Sequence, residues 1–183
     1  MKKIDKEGLR LCALQAEVFA ASLTVTQCSS PVFIRRFMHS EVAARMDRRG
    51  FLLEACDVGS ILNEVDAQYG PISYGKERYG REELYWLGYL YRYWTYTYEK
   101  SSKQVYKQMK PKNLRKLYYP YHSLDPAQAI ERILEGYRVS CPVSVVPSGI
   151  DTEKYRRRID DGSREALRER YGIKEDEIVL VYV

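Results

Sequence analysis

The run YWLGYLYRYWTYTYEKSSKQVYK, residues 85–107, decides how this chain is read, because it places six Tyr and two Trp in the fourteen positions from Tyr85 to Tyr98. Three structures fit such a stretch: a membrane span, a base-stacking platform, or a helix whose aromatic faces are buried. A membrane helix needs about 20 predominantly apolar residues. Here Glu83 and Glu99 enclose only fifteen positions, with Arg92 in the middle, so no membrane association is expected. The alternation YLYRYWTYTY also suits a strand by propensity, but the flanking REEL and EKSSKQVYKQM are helical in character. A helix sets Trp86, Leu90 and Trp94 near one face and Tyr85, Tyr89 and Tyr96 near another. A helix apolar nearly all round is either central or covered by something else.

Tyrosine in place of phenylalanine narrows the reading further. A buried Tyr needs its hydroxyl satisfied, which favours the edge of a core or an interface. Tyr, Trp and Arg also concentrate binding energy at protein interfaces. The candidate partner-contact residues are therefore Arg35, Arg36, Trp86, Tyr89, Arg92 and Trp94. Nucleic acid is the alternative partner: Lys100, Lys103, Lys107, Lys110, Lys112, Arg115 and Lys116 fall between positions 100 and 119 without one Asp or Glu, and Tyr106, Tyr118 and Tyr119 are interleaved with them. Basic charge holds phosphates and aromatic rings stack bases. No glycine-rich loop or nucleic-acid module accompanies the segment, however, and a lysine face is usually only solvated.

Working outward, the 183 residues are 45% hydrophobic and 30% charged, an ordinary globular composition. Through Ile133 there are 21 basic and 15 acidic residues, a net of +6; from Leu134 onward 9 basic and 10 acidic residues give −1. Residues 6–22 repeat apolar positions at helical spacing. Ser30 followed by Pro31 signals the start of a second helix to about Met46, Asp57 caps a third that ends at Gly70-Pro71, and 70–80 reads as a loop. Pro111 starts another short helix, and Asp125 with Pro126 opens one in SLDPAQAIERIL, to about Leu134. Beyond residue 134 the grammar changes. CPVSVVP and EIVLVYV are β-prone runs flanking the charged helix SREALRERYG. The expected fold class is mainly α: a helical domain, 1–134, followed by a short, incomplete strand-helix-strand tail, 135–183.

No catalytic constellation emerges. His39 and His122 have no His or Cys at metal-ligand spacing, and His122, Ser123 and Asp125 are too close in sequence to converge as a triad. Cys12, Cys28, Cys56 and Cys141 form no Cys-x-x-Cys pair, which favours reduced, buried thiols. The start MKKIDKEGLRLCALQAEVFAASL lacks the uninterrupted apolar core of a signal peptide. A cytoplasmic protein without cofactor, metal or enzymatic activity is expected.

The runs CSSPVFIRRFMHSEVAARMD, YGKERYGREELYWLGYLYRYWTYTYEKSSKQVYK and LYYPYHSLDPAQAIERIL resemble a family of small uncharacterised proteins of gut bacteria associated with toxin–antitoxin loci. That resemblance spans residues 28–134 and implies a cytoplasmic antitoxin or accessory component that binds a cognate protein toxin and occludes it. From about Leu134 a different resemblance takes over: VSVVPSGID is similar to the interdomain turn of retaining GT-B glycosyltransferases, with Val143–Val146 leaving one domain, Pro147–Asp151 as the turn and Ile178–Val183 opening the next. The phosphate-contacting loop, basic residue and paired glutamates that such enzymes use for the nucleotide-sugar would follow Val183. The tail thus implies a non-catalytic glycosyltransferase-like fragment, and the join near residue 134 an apparent chimera or truncation. Three functions are therefore expected in order: an antitoxin-like binding protein, an enzyme fragment, or an RNA/DNA-binding protein.

Overall fold

In the computed structural model, residues 2–54 and 56–140 are described, together with positions 166, 169, 170 and 172. The first helix, α1, runs Lys6–Val25, with Asp5 Oδ1 accepting from the Gly8 N–H at 2.8 Å as its N-cap. The single helix expected over 31–46 is two: α2, Ser30–His39, and α3, Glu41–Met46. Ser40 divides them, because its hydroxyl donates to the Phe37 carbonyl at 2.7 Å and accepts from the Ala43 N–H at 3.1 Å, local bonds that compete with the helical ladder. Ser29, rather than the expected Ser30, holds the N-cap position of α2.

After a 3-10 turn, Phe51–Glu54, α4 runs Val58–Tyr69; Asp57 caps it at 2.7 Å and Gly70 ends it at φ 73°. The aromatic run is α5, Arg81–Tyr98, started by Glu83 reaching back to the Gly80 N–H at 2.7 Å. Ser101 and Gln104 form a capping box for α6, Ser102–Gln108. Then come α7, Pro111–Lys116, α8, Tyr118–Tyr121, and α9, Pro126–Ser140, whose first N–H groups meet Asp125. The helix α9 continues across residue 134, so the charge shift there is no break in local structure.

The described residues are thus mainly helical and hold no strand. The chain divides into two compact units, Met1–Cys141 and Pro142–Val183. Ala166, Glu169 and Arg170 of the second are helical, whereas the strand readings at 143–146 and 178–183 lie outside the described residues.

Within the first unit α5 is the central element, and its main partner is α1. Gly88 permits their close approach: a Cβ there would lie 2.7 Å from the Gln15 carbonyl oxygen and 2.8 Å from the Ala16 Cα. Around the contact Phe19 meets Phe37 edge-on at 5.1 Å and Phe33 at 5.8 Å, and Tyr91, Trp94 and Ile34 complete the core. Among the described residues α1 is the one helix long and apolar enough to cross a membrane, but half of that window is buried inside this unit. Burial pushes the Cys12 thiol on α1 up to about 12, so it is protonated and unreactive at neutral pH.

The loop between α4 and α5 acts as a clamp. Its carbonyls at Tyr74 and Glu77 accept from the N–H groups of Ser29 and Ser30, which cap α2 in place of a side chain. Arg78 donates to the carbonyls of Leu23, Thr26 and Cys28 and so holds the end of α1. Gly75, at φ 86°, lies so close to Ser29 that a Cβ would sit 2.4 Å from its hydroxyl oxygen.

Candidate functional site

A groove of about 280 Å³ opens where α5 meets α8 and the start of α9. One wall carries Tyr85, Trp86 and Tyr89, each half-buried; the other carries Tyr118 and His122. Trp86 and Tyr118 stand edge to face, 5.6 Å apart at 78°. Tyr118 stacks on His122 at 4.9 Å and 26°, and Tyr89 stacks on the buried Tyr93 at 6.5 Å and 24°. Nδ1 of His122 lies 3.1 and 3.0 Å from the carbonyl oxygens of Tyr118 and Tyr119. Carbonyls only accept, so Nδ1 carries a proton and donates to them. Glu82, exposed at the rim, is the one Asp, Glu, Lys or Arg side chain among the described lining residues.

The carboxylates influence the rings. Burial raises the Tyr118 hydroxyl above its ordinary value, and the charges of Glu82 and Glu83 raise it further. The Tyr89 hydroxyl is raised by burial first, with Asp125 among the lesser causes. Both phenols are therefore neutral at physiological pH.

The residues expected at a partner surface separate into two groups. Trp86 and Tyr89 line the groove, whereas Arg92 and Trp94 are 1% and 0% exposed and cannot contact a partner in this fold. The Trp94 Nε1 has no hydrogen-bond partner among the described residues. Arg92 is held by a polar cluster: Nε donates to Gln15 Oε1 at 2.7 Å, Nη1 to Asp47 at 2.7 Å and Nη2 to the Ser102 hydroxyl at 3.3 Å. Asp47 also accepts from the Ser102 N–H and hydroxyl. Arg35 is exposed on α2, and Arg36 donates to the carbonyls of Gly70 and Tyr69 and lies over the Tyr69 ring, closing the end of α4. Neither lines the groove.

The basic segment is similarly divided. Arg115 donates to Glu83 at 2.9 Å and Glu77 at 3.3 Å and lies 4.3 Å over the Tyr79 ring. Lys112 pairs with Glu77 at 3.4 Å, Lys100 donates to Gln108, and Lys110 sits over Tyr106. Lys103, Lys107, Lys110, Lys112 and Lys116 are exposed, and of these Lys110 and Lys112 are engaged by a ring and a carboxylate. Tyr106, expected to stack bases, is 8% exposed. A second cavity, about 310 Å³, has Lys2, Arg48, Arg49 and Lys100 around the Arg92–Asp47 pair; three of these cations follow the C-termini of α3 and α5, where a helix dipole favours positive charge.

The Arg115–Glu83 pair has a measurable consequence. Burial works to raise the Glu83 carboxyl, but the Arg115 and Gly80 N–H groups outweigh it and the net shift is below the ordinary 4.5. A carboxylate with a depressed folded pKa stabilises the fold above its unfolded value and loses that contribution as pH falls through the folded one. Glu83→Gln is therefore expected to flatten the acid limb of a stability-versus-pH curve between about pH 5 and pH 3. Urea midpoints at each pH check this; an unchanged slope would show that the pair contributes nothing.

Sequence reasoning did not assign Tyr85, Tyr118, His122 or Glu82 to a common site. The signal present was the second aromatic cluster, LYYPYH, at 117–122, one short loop before the Asp125 cap. Among the described residues no group of three or more His, Cys, Asp and Glu could hold a metal ion. No family model matches the chain, and neither the curated proteins nor the solved structures contain a match.

Proposed function

We propose that the helical unit is an antitoxin-like binding protein that neutralises a protein toxin by occlusion, with the groove between α5 and α8 as its contact surface. The observation that supports this reading most directly is the exposure pattern of α5. A helix whose last turns are wrapped by the core leaves Tyr85, Trp86 and Tyr89 half in solvent beside Tyr118, four rings at one place. Rigid aromatic side chains give large contact area at small entropic cost, which is why they dominate interface energetics. The basic, Tyr-rich segment supports nucleic-acid binding less well, because Arg115 and Lys112 are paired and Tyr106 is buried.

The test is inducible expression of the protein encoded beside this one in its genome, with and without this chain, scoring growth rescue and co-purification. Rescue is expected, and Trp86→Ala with Tyr89→Ala is expected to weaken the complex by about 2–4 kcal/mol, the scale of interface hot spots. Rescue and affinity unchanged in a folded double variant would remove the groove from the interface. Absence of rescue together with salt-sensitive retention on RNA would favour the nucleic-acid reading instead.

A further inference from the structure

The groove is selective in what surrounds it. The chain carries 21 basic residues through Ile133, yet among the described lining residues there is no Lys or Arg, and the one formal charge is Glu82. Its walls are aromatic: Trp86 and Tyr118 meet edge to face, one face of Tyr118 is taken by His122, and Tyr85 and Tyr89 continue the Trp86 wall along α5. The Nδ1–H of His122 is turned away to the backbone carbonyls of Tyr118 and Tyr119. An aromatic ring carries negative charge density on its face, so half-exposed rings around one space, with a carboxylate at the rim, form an environment suited to a poorly hydrated cation. An anion would meet Glu82 and find no cationic partner, and a purely apolar ligand would gain nothing from it.

We infer that the groove receives a basic side chain, an alkylammonium or guanidinium group of a protein partner, held against Trp86 by cation–π contact with Glu82 as counter-charge. This rests on the binding-protein reading and specifies the chemistry of the partner's anchor. The cavity of about 280 Å³ is large enough for the head group and its last methylenes. Trp86 supplies the strongest face, since indole binds cations better than phenol does. Leu124 and Pro126 line the same groove and offer apolar surface to the stem of such a side chain.

The probe is tetramethylammonium, observed by saturation-transfer NMR on the full chain, with tert-butanol as the neutral ligand of like shape and sodium chloride holding ionic strength. Tetramethylammonium is expected to bind with a dissociation constant on the order of 1–10 mM and tert-butanol at least about tenfold more weakly. Trp86→Leu is expected to abolish the signal. Glu82→Lys, at an exposed site where folding is not at risk, is expected to weaken it about tenfold by placing a cation of the chain's own at the rim. Equal binding of the two ligands would identify an apolar pocket and overturn the inference. So would a signal untouched by Glu82→Lys, or one that falls as protein concentration rises, the mark of a second copy filling the groove. Ammonium binding without growth rescue would leave the groove's chemistry standing and discard the antitoxin reading; rescue that survives in Glu82→Lys, with no ammonium binding to the unsubstituted chain, would do the reverse.

Discussion

Asp47→Ala is expected to be among the most damaging single changes outside the hydrophobic core, costing about 3–5 kcal/mol. The reason is asymmetric. Arg92 is 1% exposed and Asp47's side chain 16%, so removing the carboxylate leaves a guanidinium deep in the fold with only the neutral Gln15 and Ser102 as partners. Burial already lowers the Arg92 pKa, with Asp47 the main opposing influence. Arg92→Met, by contrast, fills the space with apolar atoms and leaves Asp47 near enough to water, and to the Ser102 N–H and hydroxyl, to stay solvated. Its cost is expected at about 1–2 kcal/mol, and the double variant should be more stable than Asp47→Ala alone. Urea unfolding of the three variants measures this cycle. Equal losses in the two single variants would mean that the uncompensated charge is not the dominant cost.

Gly88→Ala is the second large effect, and it runs against helix propensity. In an exposed helix the change gains about 1 kcal/mol. At this position the new methyl meets the Gln15 carbonyl and the Ala16 Cα of α1, backbone atoms that no rotamer change moves aside, with the Phe19 ring at 3.0 Å. The two central helices must separate, and overpacking of this kind costs about 1–3 kcal/mol or more, so a net loss of about 2 kcal/mol is expected. Gly136 provides the control. It is exposed on α9 with nothing within 4 Å of a new Cβ, and Gly136→Ala is expected to stabilise by about 0.5–1 kcal/mol. If both substitutions shift the thermal midpoint upward, the close approach of α1 and α5 is not as described.

How much of this was legible in the sequence follows from the range of the forces involved. Caps act within three residues, so Asp57, Asp125 and Pro111 placed their helices correctly, and the strong local pattern of the aromatic run fixed α5 as helical. Ser40 was missed for the same reason in reverse: its competing hydrogen bonds span three residues, but nothing in the apolar periodicity announces them. Arg92 is a candidate partner contact in the sequence because Arg, like Tyr and Trp, concentrates binding energy at interfaces, but the partners that keep it inside stand 45 and 77 residues away. Trp86 and Trp94 share one helical period and differ only in which end of α5 the other helices wrap, a tertiary fact. The groove combines side chains from 82 to 126, so its chemistry existed in the sequence only as two separate aromatic clusters.

The loop from Gly70 to Gly80 has a consequence for how the chain is cut. By composition it is a linker and its residues 73–78 are exposed, so it presents Lys76 and Arg78 as the obvious trypsin sites. A protease must draw several residues into extended form to cleave, and this backbone is committed at Tyr74 and Glu77 to capping α2 while the Arg78 side chain is committed to α1. Cleavage there must therefore wait for the corner between α1 and α2 to open, and the rate of nicking becomes a clock for that opening. An apparently dispensable tether is in this protein the latch on its first two helices.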